Sequence, residues 1–93
     1  MTWRFSDFYV RFHQWVDDDY PSEEFRFWVI AWLFRLQDDP MVDAARAPGV
    51  GEPWWFAKIP GAEDDRLGVV CLYSIVDEHV RCSNITTLRK PII

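Results

Sequence analysis

Eight consecutive apolar residues, Phe27-Trp28-Val29-Ile30-Ala31-Trp32-Leu33-Phe34, occupy the middle of a segment that reads as a helix. A surface helix of a small domain carries one apolar stripe a little over 100° wide, so a helix that is apolar on every side needs two covers. The chain's own sheet supplies one. The other is expected to come from a second protein, because 93 residues make one domain, taken as residues 1–93, with a modest buried fraction. Six Trp, seven Phe and three Tyr are more aromatic surface than such a core needs, since each aromatic buries roughly 150–250 Å².

Around this run the periodicity is helical, then strand-like. Phe5, Phe8, Tyr9, Phe12, Trp15 and Val16 recur at helical spacing, with Ser6 or Asp7 as cap and Asp17-Asp18-Asp19 at the exit. Tyr20-Pro21-Ser22-Glu23-Glu24 opens the second helix, with proline suited to the first helical position and the glutamates to the positive end of the dipole. Asp38-Asp39-Pro40 stops it after about Gln37. Arg26 and Arg35 are its interior charges, and nine residues at about 100° each set them on opposite sides. Thr2-Trp3-Arg4-Phe5 reads as a short edge strand, Met41 to Arg46 as one more helical turn, and the stretch through Pro48, Gly49, Gly51 and Pro53 as loop.

From Trp54 the period is two. Trp54 to Ile59 reads as a strand ended by Pro60-Gly61, and Leu67 to Val76 and His79 to Leu88 read as an antiparallel pair. A two-residue Asp77-Glu78 turn sets Val76 against His79, Ile75 against Val80 and Tyr73 against Cys82. In that register Cys71, Tyr73, Ile75, Val80, Cys82 and Asn84 share a face. Cys71 and Cys82 are then diagonal neighbours, expected as free thiols. The fold class is α+β: a helical hairpin packed on a three- to four-stranded antiparallel sheet.

The charge balance narrows the function. A formal charge of -5 argues against a nucleic-acid surface, which rests on clustered Lys and Arg. The acidic runs at 17–19, 38–39 and 63–65 read as solvated turns, because adjacent Asp side chains fan outward instead of alternating as in a calcium loop. Two cysteines without paired CxxC spacing provide no zinc motif, and the glycines lack the lysine and hydroxyl of a phosphate cradle. No metal site and no cofactor is expected. The opening residues lack the apolar segment of a signal peptide, and the apolar run is far short of the roughly 20 residues that span a bilayer, so a cytoplasmic location with no membrane partner is expected. His13 borders the first apolar stripe. His79 follows Glu78, but adjacent strand residues point to opposite faces, so it reads as turn polarity and not as an acid–base pair.

The order of elements and one run of residues resemble the RelE/ParE superfamily of small bacterial toxins, whose fold is a helical hairpin on a short antiparallel sheet. Leu72-Tyr73-Ser74-Ile75-Val76-Asp77-Glu78-His79-Val80 is similar to that family's Val-Tyr-x-Val/Ile-x-Asp-x-x-Val hairpin, and the basic pair Arg89-Lys90 follows it. Leu36-Gln37-Asp38-Asp39-Pro40 resembles its Leu-x-x-Asp-Pro helix end. In the family's ribosome-dependent ribonucleases, cationic side chains on the sheet hold RNA while an arginine and a tyrosine assist the chemistry. Here Val70 stands three before Tyr73, where such enzymes carry arginine, and Pro91-Ile92-Ile93 follows Arg89-Lys90 without their tyrosine.

Two functions follow. In the first, a growth-inhibitory, toxin-like protein binds a bacterial protein, or an antitoxin-like partner, through Phe25, Trp28, Trp32, Arg35, Trp54 and Trp55, because aromatic and arginine anchors dominate interfaces. Such a chain fits a bacteriophage-encoded cytotoxic protein directed at an actinobacterial host factor. A homodimer pairing the second helix with its copy would cover the same surface. In the second, a messenger-RNA endoribonuclease uses Lys58, Arg81, Arg89 and Lys90 as phosphate clamps.

Overall fold

The computed structural model describes residues 3–46 and 53–90. Its elements run β1 (Arg4–Ser6), α1 (Phe8–Asp19), α2 (Glu23–Asp38), β2 (Ala44–Arg46), β3 (Trp54–Glu63), β4 (Leu67–Val76) and β5 (His79–Arg89). The class is α+β, with two helices on one sheet.

The sheet has five strands in the order β1-β5-β4-β3-β2 and is mixed, because β1 pairs parallel to β5 while the other neighbours are antiparallel. Both outer strands have three residues, and β1 overlaps the edge strand expected at residues 2–5. β1 takes Phe5, which periodicity alone assigns to the first helix; Phe5 sits opposite Val80, and Asp7 at φ 69° turns the chain from strand into α1. β2 occupies the segment read as a helical turn, and Ala44 instead pairs with Ala57 of β3. Residues 47–52, most of the expected loop, lie outside the described residues.

The β4–β5 hairpin has the register read from its turn: Val76 opposite His79, Ile75 opposite Val80, Tyr73 opposite Cys82. Asp77 at φ 49° and Glu78 at φ 67° both adopt the left-handed conformation that matches a two-residue turn to the strand twist. One residue further the expectation fails. Leu72 faces Asn84 while Tyr73 faces Cys82, so Ser83 is an extra residue and Asn84 falls on the face opposite Cys82.

The helix ends follow from local chemistry. α2 begins at Glu23 because the Ser22 hydroxyl accepts the Phe25 N–H at 3.1 Å; Pro21 precedes this cap and is not the first helical residue. α1 closes at Tyr20, whose N–H reaches the Val16 carbonyl at 3.2 Å with φ at 47°. The far end of α1 is tied to the sheet: Trp15 Nε1 donates to Thr87 Oγ1 at 2.8 Å, and the Thr87 N–H donates to Asp19 Oδ2 at 2.9 Å.

Both helices lie on the sheet face that carries Tyr73. Phe8 of α1 and Trp32 of α2 meet its ring at 6.3 and 6.1 Å between centroids. The buried set joins Trp15, Phe25, Val29, Trp32 and Leu36 of the helices to Ala57, Ile59, Val69, Cys71, Tyr73, Val80, Cys82 and Ile85 of the sheet. At roughly 1.5–3 kcal/mol for each large apolar side chain, this layer supplies the main driving force. The Tyr73 hydroxyl, enclosed with its ring, donates to the Pro40 carbonyl at 2.8 Å and pins the turn after α2. Cys71 and Cys82 are free, with sulfurs 3.7 Å apart.

Burial pushes the Cys71 thiol well above its ordinary value of 9.0, and the contact with Cys82 pushes it further. Burial likewise raises the Tyr73 phenol above 10.0. Both groups stay protonated in the folded chain at pH values where they ionise in the unfolded one, so their contribution is complete below pH 9.0 and is lost as pH rises. Urea midpoints are therefore expected to hold up to pH 9.0, to fall above it and to fall more steeply above 10.0. Tyr73→Phe should flatten the second step, at a cost of about 1 kcal/mol at neutral pH from the stranded Pro40 carbonyl. Midpoints that stay level to pH 11 would contradict this.

Candidate functional site

α2 divides sharply into two sides. Phe25, Val29, Trp32 and Leu36, at spacings of four, three and four, form the buried stripe, with Phe25 7% and Trp32 1% exposed. Turned about half a revolution away are Phe27, Ile30 and Phe34, exposed by 62%, 43% and 66%. This outward face is closed at both ends by acids: Glu23 and Glu24 in the first turn, Asp38 in the last.

The aromatics singled out from sequence fall into different environments. Phe25 and Trp32 belong to the core and offer nothing to a partner in this conformation. Trp28 is half-exposed, but one side of its indole lies over Gly61 of β3, where a Cβ would run into the ring. Gly61 has φ 83°, so glycine is required there twice, for the backbone and for the indole. Arg35, on the Trp28 side of the helix, is paired with Asp43 in the turn before β2. Trp54 and Trp55 are both half-buried but point to opposite sheet faces: Trp55, opposite Tyr73, packs under the helices, and Trp54, opposite Ser74, lies on the other face. The six residues thus do not form one surface. The outward residues of α2 are Phe27, Ile30 and Phe34. The signal that separates them from Phe25 and Trp32 is the 25-29-32-36 phase, the one that continues past the apolar run at both ends.

Beside this face a groove separates the helices, with Phe12, His13 and Val16 on one bank and Glu23, Arg26 and Ile30 on the other. Arg26 and Glu23 approach to 3.9 Å across one turn. On the α1 bank, Tyr9 packs its ring against His13 at 4.3 Å and is itself 77% exposed.

The four candidate cations are divided as well. Lys58 and Lys90 stand at a concavity at one end of the sheet face away from the helices, whereas Arg89, opposite Leu67, falls by strand alternation on the face that carries the helices. Arg81 stands opposite Ser74, four residues along β4 from Val70 and so about 13 Å away at the usual strand rise, and it contacts Asp7 at 3.7 Å. Lys90 is neutralised by Glu63 at 2.8 Å. The carboxylate at the concavity is that same Glu63, which Lys90 engages. His79 is further away at the β1 edge, where its Nε2 shares a 2.7 Å hydrogen bond with Ser6 Oγ. That contact bonds β1 to β5, a role the sequence reading of turn polarity did not include. Among the described residues no carboxylate holds the other ring nitrogen, so the pair lacks the orienting third member of a nucleophilic triad. No group of three or more His, Cys, Asp or Glu among the described residues is arranged to hold a metal ion. No helix among them is long and apolar enough to cross a membrane.

The chain matches no protein-family model, no curated protein and no solved structure.

The Trp28–Gly61 contact is directly testable. Gly61→Ala is expected to destabilise the fold by about 2–4 kcal/mol, combining the left-handed backbone penalty with overpacking against the indole. In a Trp28→Ala background the same change should cost only the backbone part, about 1 kcal/mol. Equal costs in the two backgrounds, measured by urea denaturation, would show that the indole does not rest there.

Proposed function

We propose that this chain is a small growth-inhibitory protein that works by binding another protein through the outward face of α2. The observation that carries the reading is the exposure of Phe27 and Phe34, two turns apart on a helix whose opposite side is fully used by the core. Water gains about 25 cal/mol for each Å² of such surface removed, and aromatic rings serve as the anchors of interfaces. The growth-inhibitory part rests on the RelE/ParE-like hairpin sequence, and a bacteriophage origin and a cytoplasmic site of action accompany it.

Charge selects the partner. The outward face presents Glu23, Glu24 and Asp38 around its apolar centre and no unpaired cation, since Arg26 sits beside Glu23 and Arg35 beside Asp43. Two copies related by a two-fold axis would oppose Glu23 to Asp38 when antiparallel, or Glu23 to Glu23 when parallel, and like charges facing each other are unfavourable. The partner is therefore an apolar helix or groove rimmed by Lys and Arg, on a host target or an antitoxin-like protein. The ribonuclease reading has less support: of its four cations, Lys90 is neutralised by Glu63 and Arg81 is remote from the rest.

Expression in a bacterial host is expected to slow growth. The Phe27→Ser/Phe34→Ser double variant should relieve the inhibition while keeping its circular dichroism and melting temperature near wild type, because exposed positions change stability little. Arg89→Ala/Lys90→Ala should leave the inhibition in place. The opposite pattern would overturn the binding reading in favour of cleavage, and a stable dimer at micromolar concentration in sedimentation would overturn the basic-rimmed partner in favour of a second copy.

A further inference from the structure

The sheet face opposite the helices has a concavity of about 520 Å³, within the range of small-molecule pockets. It forms where β3 loses register: Lys58 pairs with Val70, but the next paired residue is Glu63 with Gly68, so the stretch between them bulges and the sheet end curls. Gly68 contributes no side chain at this point, and a Cβ placed there would approach Lys90 Cε at 3.6 Å and Glu63 Cβ at 3.9 Å. The missing side chain is what leaves the space open between the Glu63–Lys90 pair and the apolar wall of Phe56, Val70 and Leu88.

The rim is fixed before any ligand arrives. Asp64 Oδ1 accepts the N–H groups of Arg66 at 2.8 Å and Leu67 at 2.7 Å, which closes the β3–β4 turn, and these bonds hold its carboxyl below the usual value. The Lys90 N–H donates to the Arg66 carbonyl at 2.7 Å, anchoring the end of β5 to the same turn. Lys90 itself is spent on Glu63. Lys58, which shares the face of the concavity, is exposed and makes no ion pair among the described residues.

We propose that this concavity binds a small amphipathic anion, an aromatic or medium-chain aliphatic body carrying one carboxylate or sulfonate. The body lies on Phe56, Val70 and Leu88, and the anionic group meets Lys58. The apolar wall distinguishes this ligand from RNA, whose backbone would bring several phosphates to a rim where Lys58 is the unpaired cation among the described residues. The site is on the other side of the sheet from α2 and is independent of the protein-binding reading.

The probe is 8-anilinonaphthalene-1-sulfonate, followed by fluorescence, with decanoate and a short single-stranded RNA as competitors. Saturable binding at one site is expected, displaced by decanoate and not by the RNA. Gly68→Val, which fills the concavity, should weaken binding at least tenfold, as should Lys58→Gln, an exposed side chain whose loss leaves the core untouched. The Phe27→Ser/Phe34→Ser variant should bind as wild type. If Gly68→Val fails to fold by circular dichroism, the Lys58→Gln variant decides: unchanged affinity there overturns the proposal. Loss of binding in the Phe27/Phe34 variant, or displacement by RNA and not by decanoate, overturns it as well.

Discussion

The structure depends on one enclosed ring, Tyr73 at the centre of β4. Phe8 and Trp32 bring both helices onto it, and its hydroxyl holds the Pro40 carbonyl where α2 ends. The same side chain therefore sets where α1 docks, where α2 docks and where the chain turns toward β2. A polar atom at such a depth is stabilised by being bonded; left unbonded, it would cost about 1–3 kcal/mol. The Trp32 indole N–H, by contrast, has no acceptor among the described residues, so that side chain is present for volume and not for polarity.

Once Tyr73 fixes the seat of α2, the helix has no freedom to share its apolar surface. The stripe from Phe25 to Leu36 is consumed by the sheet, Trp28 is laid over Gly61, Leu33 packs against the core, and Ile30, though exposed, borders the groove beside α1. Phe27 and Phe34 are what remains. Their exposure is a geometric residue of packing an all-round apolar helix on a single sheet, with α1 beside it and not above it. A chain of this size has no further element among its described residues to provide the second cover. The acidic ends of that face then determine which chemistry fits over it.

Much of this was legible in the residues. Alternation through Leu67–Val76 and a two-residue turn determine the hairpin register, because a slip by one would invert every buried side chain. The apolar run announces an uncovered face. What could not be read were features that depend on distant partners. The three-residue strand β2 has no periodicity of its own and exists because β3 offers an open edge. The extra residue at Ser83 leaves no mark in composition, yet it moves Asn84 across the sheet. The choice of core within the run needed the phase of Phe25, Val29, Trp32 and Leu36, and the concavity needed both the β3 bulge and Gly68.

The central claim is that the outward face of α2 is open in the free chain and awaits a different protein. Hydroxyl-radical footprinting of the purified protein, read residue by residue over a hundredfold range of concentration, addresses it most directly. The account predicts rapid oxidation of Phe27 and Phe34, protection of Phe25 and Trp32, and no change with concentration. Protection of Phe27 and Phe34 comparable to that of Phe25 at the lowest concentration, or protection that grows with concentration, would contradict it.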